Sequence, residues 1–418
     1  MKALIKEVKI IDPQGEFHNQ IVDLQVANGI IEKIATNINL IDDYQLVAIK
    51  NLHVSKGWFD TSVSFGEPGF EDRETIQNGL AVAAQSGFAA VALQPNSYPI
   101  IDNQSYVRFV KQKAEGAATE LFPVGALTKN SDGTDLAELF DMKKAGAIAF
   151  GDYNKAVSNP NLLKIALQYV HDFEGLIIAF SEDEALKSTG VVNEGVVATQ
   201  LGLKGIPNLA EEIQVARNLA LLEYTGGTLH IPTISTATSA ALIKAAKAKG
   251  LKVSCSVAVH NLVLSDENLI QFDTRFKVSP PLRTRADCNA LLAAVLDNTI
   301  DCITADHNPI DIEHKKIEFD LAKNGTIGLE SAFGALLNLL PLHVVVDKLT
   351  NGRHVFNLEI SQIKQGSKAC LSFFTADDHW EFKENCIKSK SKNSAFLNLK
   401  MTGKPVGIYN QSQLILTK

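Results

Sequence analysis

Residues 57–96 read GWFDTSVSFGEPGFEDRETIQNGLAVAAQSGFAAVALQPN, and this stretch decides the fold. An apolar run, Gly57–Phe65, leads into a segment with helical spacing, Glu71–Gln85, which stops at Gly87. A second apolar run, Phe88–Gln94, starts at once. Glycine just past the last periodic residue is a helix stop, and short apolar runs separated by such helices are the rhythm of a parallel sheet.

The rhythm continues to about residue 345, with further strand candidates at Glu120–Leu127, Ala147–Gly151, Leu176–Phe180, Thr228–Ile231, Leu251–Val257 and Asp301–Thr304. Helical segments lie between them, at Leu162–Phe173, Leu209–Tyr224, Ser239–Lys249, Arg285–Val295 and Leu329–Leu340. Eight βα units over roughly 290 residues predict a (β/α)8 barrel, residues 56–350. The flanks read differently. Ile21–Val26 and Ile30–Ile34 face each other across Asn28-Gly29, a pair suited to a tight hairpin, and the residues after 355 return to short strands and turns. Residues 1–55 and 351–418 are therefore expected to form one discontinuous β domain. Ser389–Ser394, SKSKNS, reads as a polar loop.

Composition narrows the function classes. Forty Lys and Arg against 47 Asp and Glu give a net charge of −7, which disfavours a nucleic-acid partner. Five cysteines without a C-x-x-C fit neither a disulfide framework nor a zinc ribbon. The first residues, MKALIKEVKIIDPQGEF, carry charges every few positions, unlike a signal peptide, and no apolar run is long enough to span a membrane. The expectation is a cytoplasmic protein with no membrane or nucleic-acid contact.

Barrels of this kind place their chemistry at the C-terminal ends of the strands. Those ends carry Ser62, Ser64, Asn96, Asp152, Phe180, Thr233, His260, Asp306 and His307. The row is polar but poor in metal ligands. Bland readings stand beside functional ones: Asp152 as a turn residue, His260 as a satisfied core histidine, Asp306 and His307 as caps for backbone donors, and Cys255 as core filler rather than a nucleophile.

The segment Phe59–Asn96 resembles the opening barrel segment of the dihydroorotases of the amidohydrolase superfamily, D-x-H-x-H-x-R-E-P-G followed by M-P-N. Further similar segments are GAIAFGD (146–152), GVVNEGVVATQLGLKGIPNLAEE (190–212), LHIPTISTATS (229–239), KVSPPLRT (277–284), DCITADHNP (301–309), GLES (328–331), SKSKNSAF and GKPVG. The resemblance implies a TIM barrel with an appended β domain, zinc at the barrel mouth, and interconversion of dihydroorotate and carbamoyl aspartate in pyrimidine biosynthesis.

The departures fall on the chemistry. Histidines that would bind metal correspond to Ser62, Ser64, Phe180 and Thr233, the arginine that would grip the substrate carboxylate to Gly66, and a substrate-binding asparagine to Ser279. Retained are Asn96 and His307 at substrate-contact positions, Asp152 at a metal-bridging position, and Asp306 as the expected base. His230, His260, Pro280, Pro281 and Arg283 also remain.

A catalytic metal lowers the pKa of bound water from about 15.7 to about 7, on the order of 12 kcal/mol toward hydroxide. A lone carboxylate does not replace that, and serine hydroxyls are poor zinc ligands. Two readings stay open. One is a silent homologue without zinc, with a vestigial Asp306, kept for assembly as a homo-dimer or with aspartate transcarbamoylase or an active dihydroorotase. The other is an active dihydroorotase or related cyclic amidohydrolase.

Overall fold

The computed structural model describes residues 1–417. Eight parallel strands run in the order Trp58–Val63, Phe88–Leu93, Glu120–Gly125, Ala149–Phe150, Ile177–Ile178, Leu229–Ile231, Val253–Ala258 and Cys302–Thr304. The eighth returns to the first: a parallel bridge joins Val63 to His307, and the Ser64 N–H donates to the His307 carbonyl at 2.8 Å. This closed sheet with its outer helices is the predicted (β/α)8 barrel. Each strand found lies within, or one residue from, its predicted range.

Both ends of the chain enter a second, eight-stranded sheet. Leu52–Lys56 is its seam, parallel to Lys2–Ile10 on one side and antiparallel to Leu371–Glu381 on the other. The Asn28-Gly29 hairpin forms as read, with both residues at positive φ, 52° and 81°, as a type I′ turn requires. The C-terminal part differs from the expected short strands. Leu371–Glu381 and Lys400–Asn410 are eleven residues each, with shifted register at two places, so turn-like composition inside them marks bulges rather than ends.

Trp58 joins the two bodies. Its ring stacks 4.8 Å from Phe333 and lies 5.4 Å from Phe374 of the sheet, while its backbone N–H donates to the Ser372 hydroxyl. Gly87 is forced here: a Cβ would sit 2.6 Å from the Trp58 ring, at φ +86°.

The first barrel helix begins at Ile76, five residues later than its spacing suggests. Thr75 caps it through its side chain, and the preceding residues form a loop braced by Glu67, which accepts from the Ile76 N–H at 2.8 Å and pairs with Lys113. SKSKNS is polar but not a surface loop. Ser389, Ser391, Asn393 and Ser394 are buried, holding the Glu330 carboxylate, the Arg73 carbonyl and the backbone at Ile310, Gly325 and Ile327. Among the described residues no helix is long and apolar enough to cross a membrane.

Candidate functional site

The mouth is built around a buried acid pair. Asp60 points into the barrel from the first strand and accepts from the Ser62 N–H, the Thr304 hydroxyl and the Ala305 N–H at 2.7 Å. Burial lifts its pKa to about 6 against those three donors. Asp306, just past the eighth strand, accepts from the Ser62 hydroxyl at 3.0 Å and more loosely from the Tyr153 hydroxyl at 3.5 Å. Burial first, then the Asp60 charge, push Asp306 up to about 7. Burial raises the Tyr153 phenol too, so it stays a donor.

The four positions at which the resemblance implies metal-binding histidines are shut away. Ser62 is 5% exposed and Ser64, Phe180 and Thr233 are 3% each. Ser64 accepts a 2.6 Å hydrogen bond from Asn96, so two of the expected residues do meet, in contact with each other. Thr233 holds a left-handed backbone, φ 45°, unusual for a β-branched residue, and its hydroxyl is buried without a partner. Asp152 is spent on structure: one oxygen accepts from the Leu127 and Thr128 N–H groups, the other from the Thr128 hydroxyl at 2.6 Å.

His230, His260 and His307 are neutral, each pushed down to about 3 by burial. His307 accepts from the Gly328 N–H at 3.2 Å through Nδ1, which leaves its proton on Nε2, an atom with no partner among the described residues. His230 lies between the Ser254 and Ser256 hydroxyls. His260 departs from expectation: it is buried, but neither ring nitrogen has a partner. Buried unpartnered polar groups cost about 1–3 kcal/mol each, and several of them sit along the barrel strands and just past their ends, at Thr61, Thr233, His260 and His307.

Arg283 serves the scaffold. It donates to Ser235, Asn193 and the Ile206 carbonyl beside Glu211, fastening the small sheet Val192–Asn193/Gly205–Ile206 over the barrel. Ser279 and Pro281 line a crevice of about 300 Å³ beside it, together with Glu182, Lys187, Lys277 and Asn324. Gly66 sits at φ +84°, where a Cβ would stand 2.8 Å from the Phe70 carbonyl oxygen, so the loop is shaped for glycine. Cys255 is core: burial raises its thiol to about 12.

Zinc wants three or four Cys, His or carboxylate donors. Among the described residues no three such side chains are grouped to hold a metal. The donors present do not fit it: the serines are hydrogen-bonded inside the site, Phe180 offers a ring, and Asp152 faces backbone amides. Asp60 and Tyr153 are the participants that local sequence reading passed over. Asp60 stands at the opening aspartate of the D-x-H-x-H pattern, but the local string does not show its hydrogen bonds across the mouth.

The family model described as Dihydro-orotase-like matches residues 53–239. Proteins named dihydroorotase are similar over nearly the whole chain. That of Syntrophus aciditrophicus is 36% identical, covering 99% of both chains, and that of Pelotomaculum thermopropionicum is 39% identical, covering 97% of this chain and 96% of the relative. Among solved structures, the L-hydantoinase of Arthrobacter aurescens superposes with a TM-score of 0.87 over all of this chain and 97% of that one, at 19% identity, which speaks to the fold.

Proposed function

The chain belongs to the dihydroorotase-like family, and on that premise we propose that it is a catalytically silent member of pyrimidine biosynthesis whose role is assembly or regulation. One observation carries this reading. The Ser62 hydroxyl is turned onto Asp306 and the Ser64 hydroxyl is engaged by Asn96, so side chains at the metal and base positions satisfy one another. That arrangement supports a site without a metal-activated water, with its carboxylate held in a hydrogen bond to a serine. The partners that suit the family are a second copy, aspartate transcarbamoylase or an active dihydroorotase.

A second reading, an active cyclic amidohydrolase, is favoured by Asp306 itself: a carboxylate at about 7, linked to the Ser62 and Tyr153 hydroxyls, is tuned as general bases are. The experiment is metal analysis of protein purified without chelator, together with dihydroorotate turnover assayed with and without added zinc. The silent reading expects less than stoichiometric zinc and no turnover above background. Stoichiometric zinc, or turnover near 1 per second or more, overturns it.

A further inference from the structure

A positive charge taken out of water is costly unless a negative one goes with it. Among the described residues the buried basic side chains are Lys277, Arg283, Lys315, Lys348 and Arg353. Arg283 has Glu211, and Arg353 has Glu120. Lys348, at the opposite end of the barrel from the mouth, donates to the Asn298 side chain and the Ile300 carbonyl within reach of the Asp301 and Asp347 charges. Lys277 and Lys315 are different. Each ammonium is held by two backbone carbonyls, those of Phe319 and Asp320 for the first and of Thr274 and Lys277 for the second, and by no carboxylate among the described residues. The acids they feel are Asp320, out in solvent, and Asp273, already paired with Arg275. An ammonium has three N–H donors, so each keeps one unused.

The open space beside them is the crevice of about 300 Å³ between the loops that follow strands five, seven and eight. Lys277 lines it, with Lys187 and Lys323 from the other two loops, against one acid, Glu182. Glu182 and Lys187 pair with each other, which leaves Lys277 and the exposed Lys323 as a local surplus of positive charge in a chain whose net charge is −7. Ser279 adds a hydroxyl, and Val191 and Pro281 give the crevice an apolar wall. Charge and shape together choose the ligand. A planar carboxylate is best gripped by an arginine fork, whereas lysines are point charges that suit phosphate. Arg283, the arginine close by, is already committed to Ser235, Asn193 and the Ile206 carbonyl. Donors arriving from separate loops fit the several oxygens of a tetrahedral anion, and the apolar wall leaves room for a small carbon skeleton behind it.

We propose that this crevice binds a small phosphate monoester, with the phosphoryl oxygens on Lys277, Lys323 and Ser279 and the carbon skeleton against Val191 and Pro281. Ser62, Ser64, Phe180, Thr233 and Asp306 do not line the crevice, so the inference goes beyond the reading above and stands whether or not the chain turns over a cyclic amide.

The test is titration calorimetry of the full chain in a phosphate-free buffer at constant ionic strength, with inorganic phosphate, ribose 5-phosphate, succinate and dihydroorotate as separate probes. Both phosphates are expected to bind, ribose 5-phosphate the more tightly, and succinate and dihydroorotate neither to bind there nor to displace them. Lys323→Ala, at an exposed position that does not endanger the fold, is expected to weaken ribose 5-phosphate about fivefold or more. Lys316→Ala, exposed on the same loop but outside the crevice, leaves it unchanged. Absence of phosphate binding with a Kd below about 10 mM, or binding that Lys323→Ala does not weaken, overturns the proposal. Succinate binding more tightly than the phosphates would make this a carboxylate site, and displacement of ribose 5-phosphate by dihydroorotate would make the crevice part of the mouth. Either result overturns the assignment, while the silent reading is still decided by zinc content and turnover.

Discussion

The Ser62 hydroxyl donates to the Asp306 carboxylate at 3.0 Å across 244 residues of chain, tying the first barrel strand to the end of the eighth. Asp306 holds this position at φ 43°, a left-handed conformation that Asp and Asn tolerate better than most residues. Its carboxyl titrates near 7 instead of 3.8. Between those values the native state keeps a proton that the unfolded chain has lost, so stability falls as pH rises from about 4 to about 7. Asp306→Asn removes that penalty and keeps an acceptor for Ser62. The variant is expected to gain about 1–3 kcal/mol at pH 8, out of the roughly 4 kcal/mol a three-unit shift represents, and almost nothing at pH 4. Denaturant melts at the two pH values check this; an equal gain at both would refute it.

If the chain is the silent homologue proposed above, histidines at the Ser62 and Ser64 positions alone should not create an enzyme. Ser62→His with Ser64→His leaves Phe180, Thr233 and Gly66 in place and Asp152 bound to backbone, and the double variant is expected to show no zinc-dependent dihydroorotate turnover above the wild type. Adding Gly66→Arg makes matters worse for the fold. The arginine Cβ would meet the Phe70 carbonyl at 2.8 Å in a left-handed backbone, at a cost of about 1–3 kcal/mol. A thermal melt of the single Gly66→Arg variant with an unchanged midpoint would contradict the geometry.

His260 contributes two buried nitrogens with no partner. Methionine fills a similar volume without them, so His260→Met is expected to be neutral or to stabilise by about 1 kcal/mol. Loss of 2 kcal/mol or more in urea unfolding would mean that these nitrogens are satisfied in solution.

Lys277 and Lys315 form a crossed clamp near the mouth. Lys315 donates to the Thr274 and Lys277 carbonyls, and Lys277 to the Phe319 and Asp320 carbonyls. Burial, then repulsion from Lys277, lower Lys315 to about 7. The unfolded lysine stays protonated to about 10.5, so the unfolded state binds more protons between 7 and 10.5 and stability rises with pH across that window. Amide exchange of residues 311–323, corrected for intrinsic rate, should show protection growing from pH 7 to 9, and Lys315→Met should abolish the trend. Protection that declines over this range in the wild type would disprove it.

The barrel was legible because its signals are local: an apolar run, a helical period and a stopping glycine repeat within each forty residues, as at Gly57–Gln94. The residues that stand where the resemblance implies histidines were legible for the same reason, since a motif is a local string. The setting of Asp60 was not, although the motif opens with an aspartate there, because its partners Thr304 and Ala305 lie more than 240 residues away. Nor was the state of His260, whose lack of partners is a property of packing. The late start of the first helix at Ile76 reflects Glu67, Glu74 and Thr75 competing for backbone donors that the apolar period alone assigns to the helix.

The seam Leu52–Lys56 pairs with Leu371–Thr375, and the mouth is strapped by residues 389–395. During synthesis, at about 5–20 residues per second, the N-terminal strands therefore wait on the order of 15–60 s for their partners to leave the ribosome. Throughout that interval the unpaired edge of Leu52–Lys56 is open to other strands, and the nascent barrel lacks its last strap. Contacts of such sequence separation make for slow folding, so the yield of this protein is expected to depend on what shields the early strands until the last fifty residues are made.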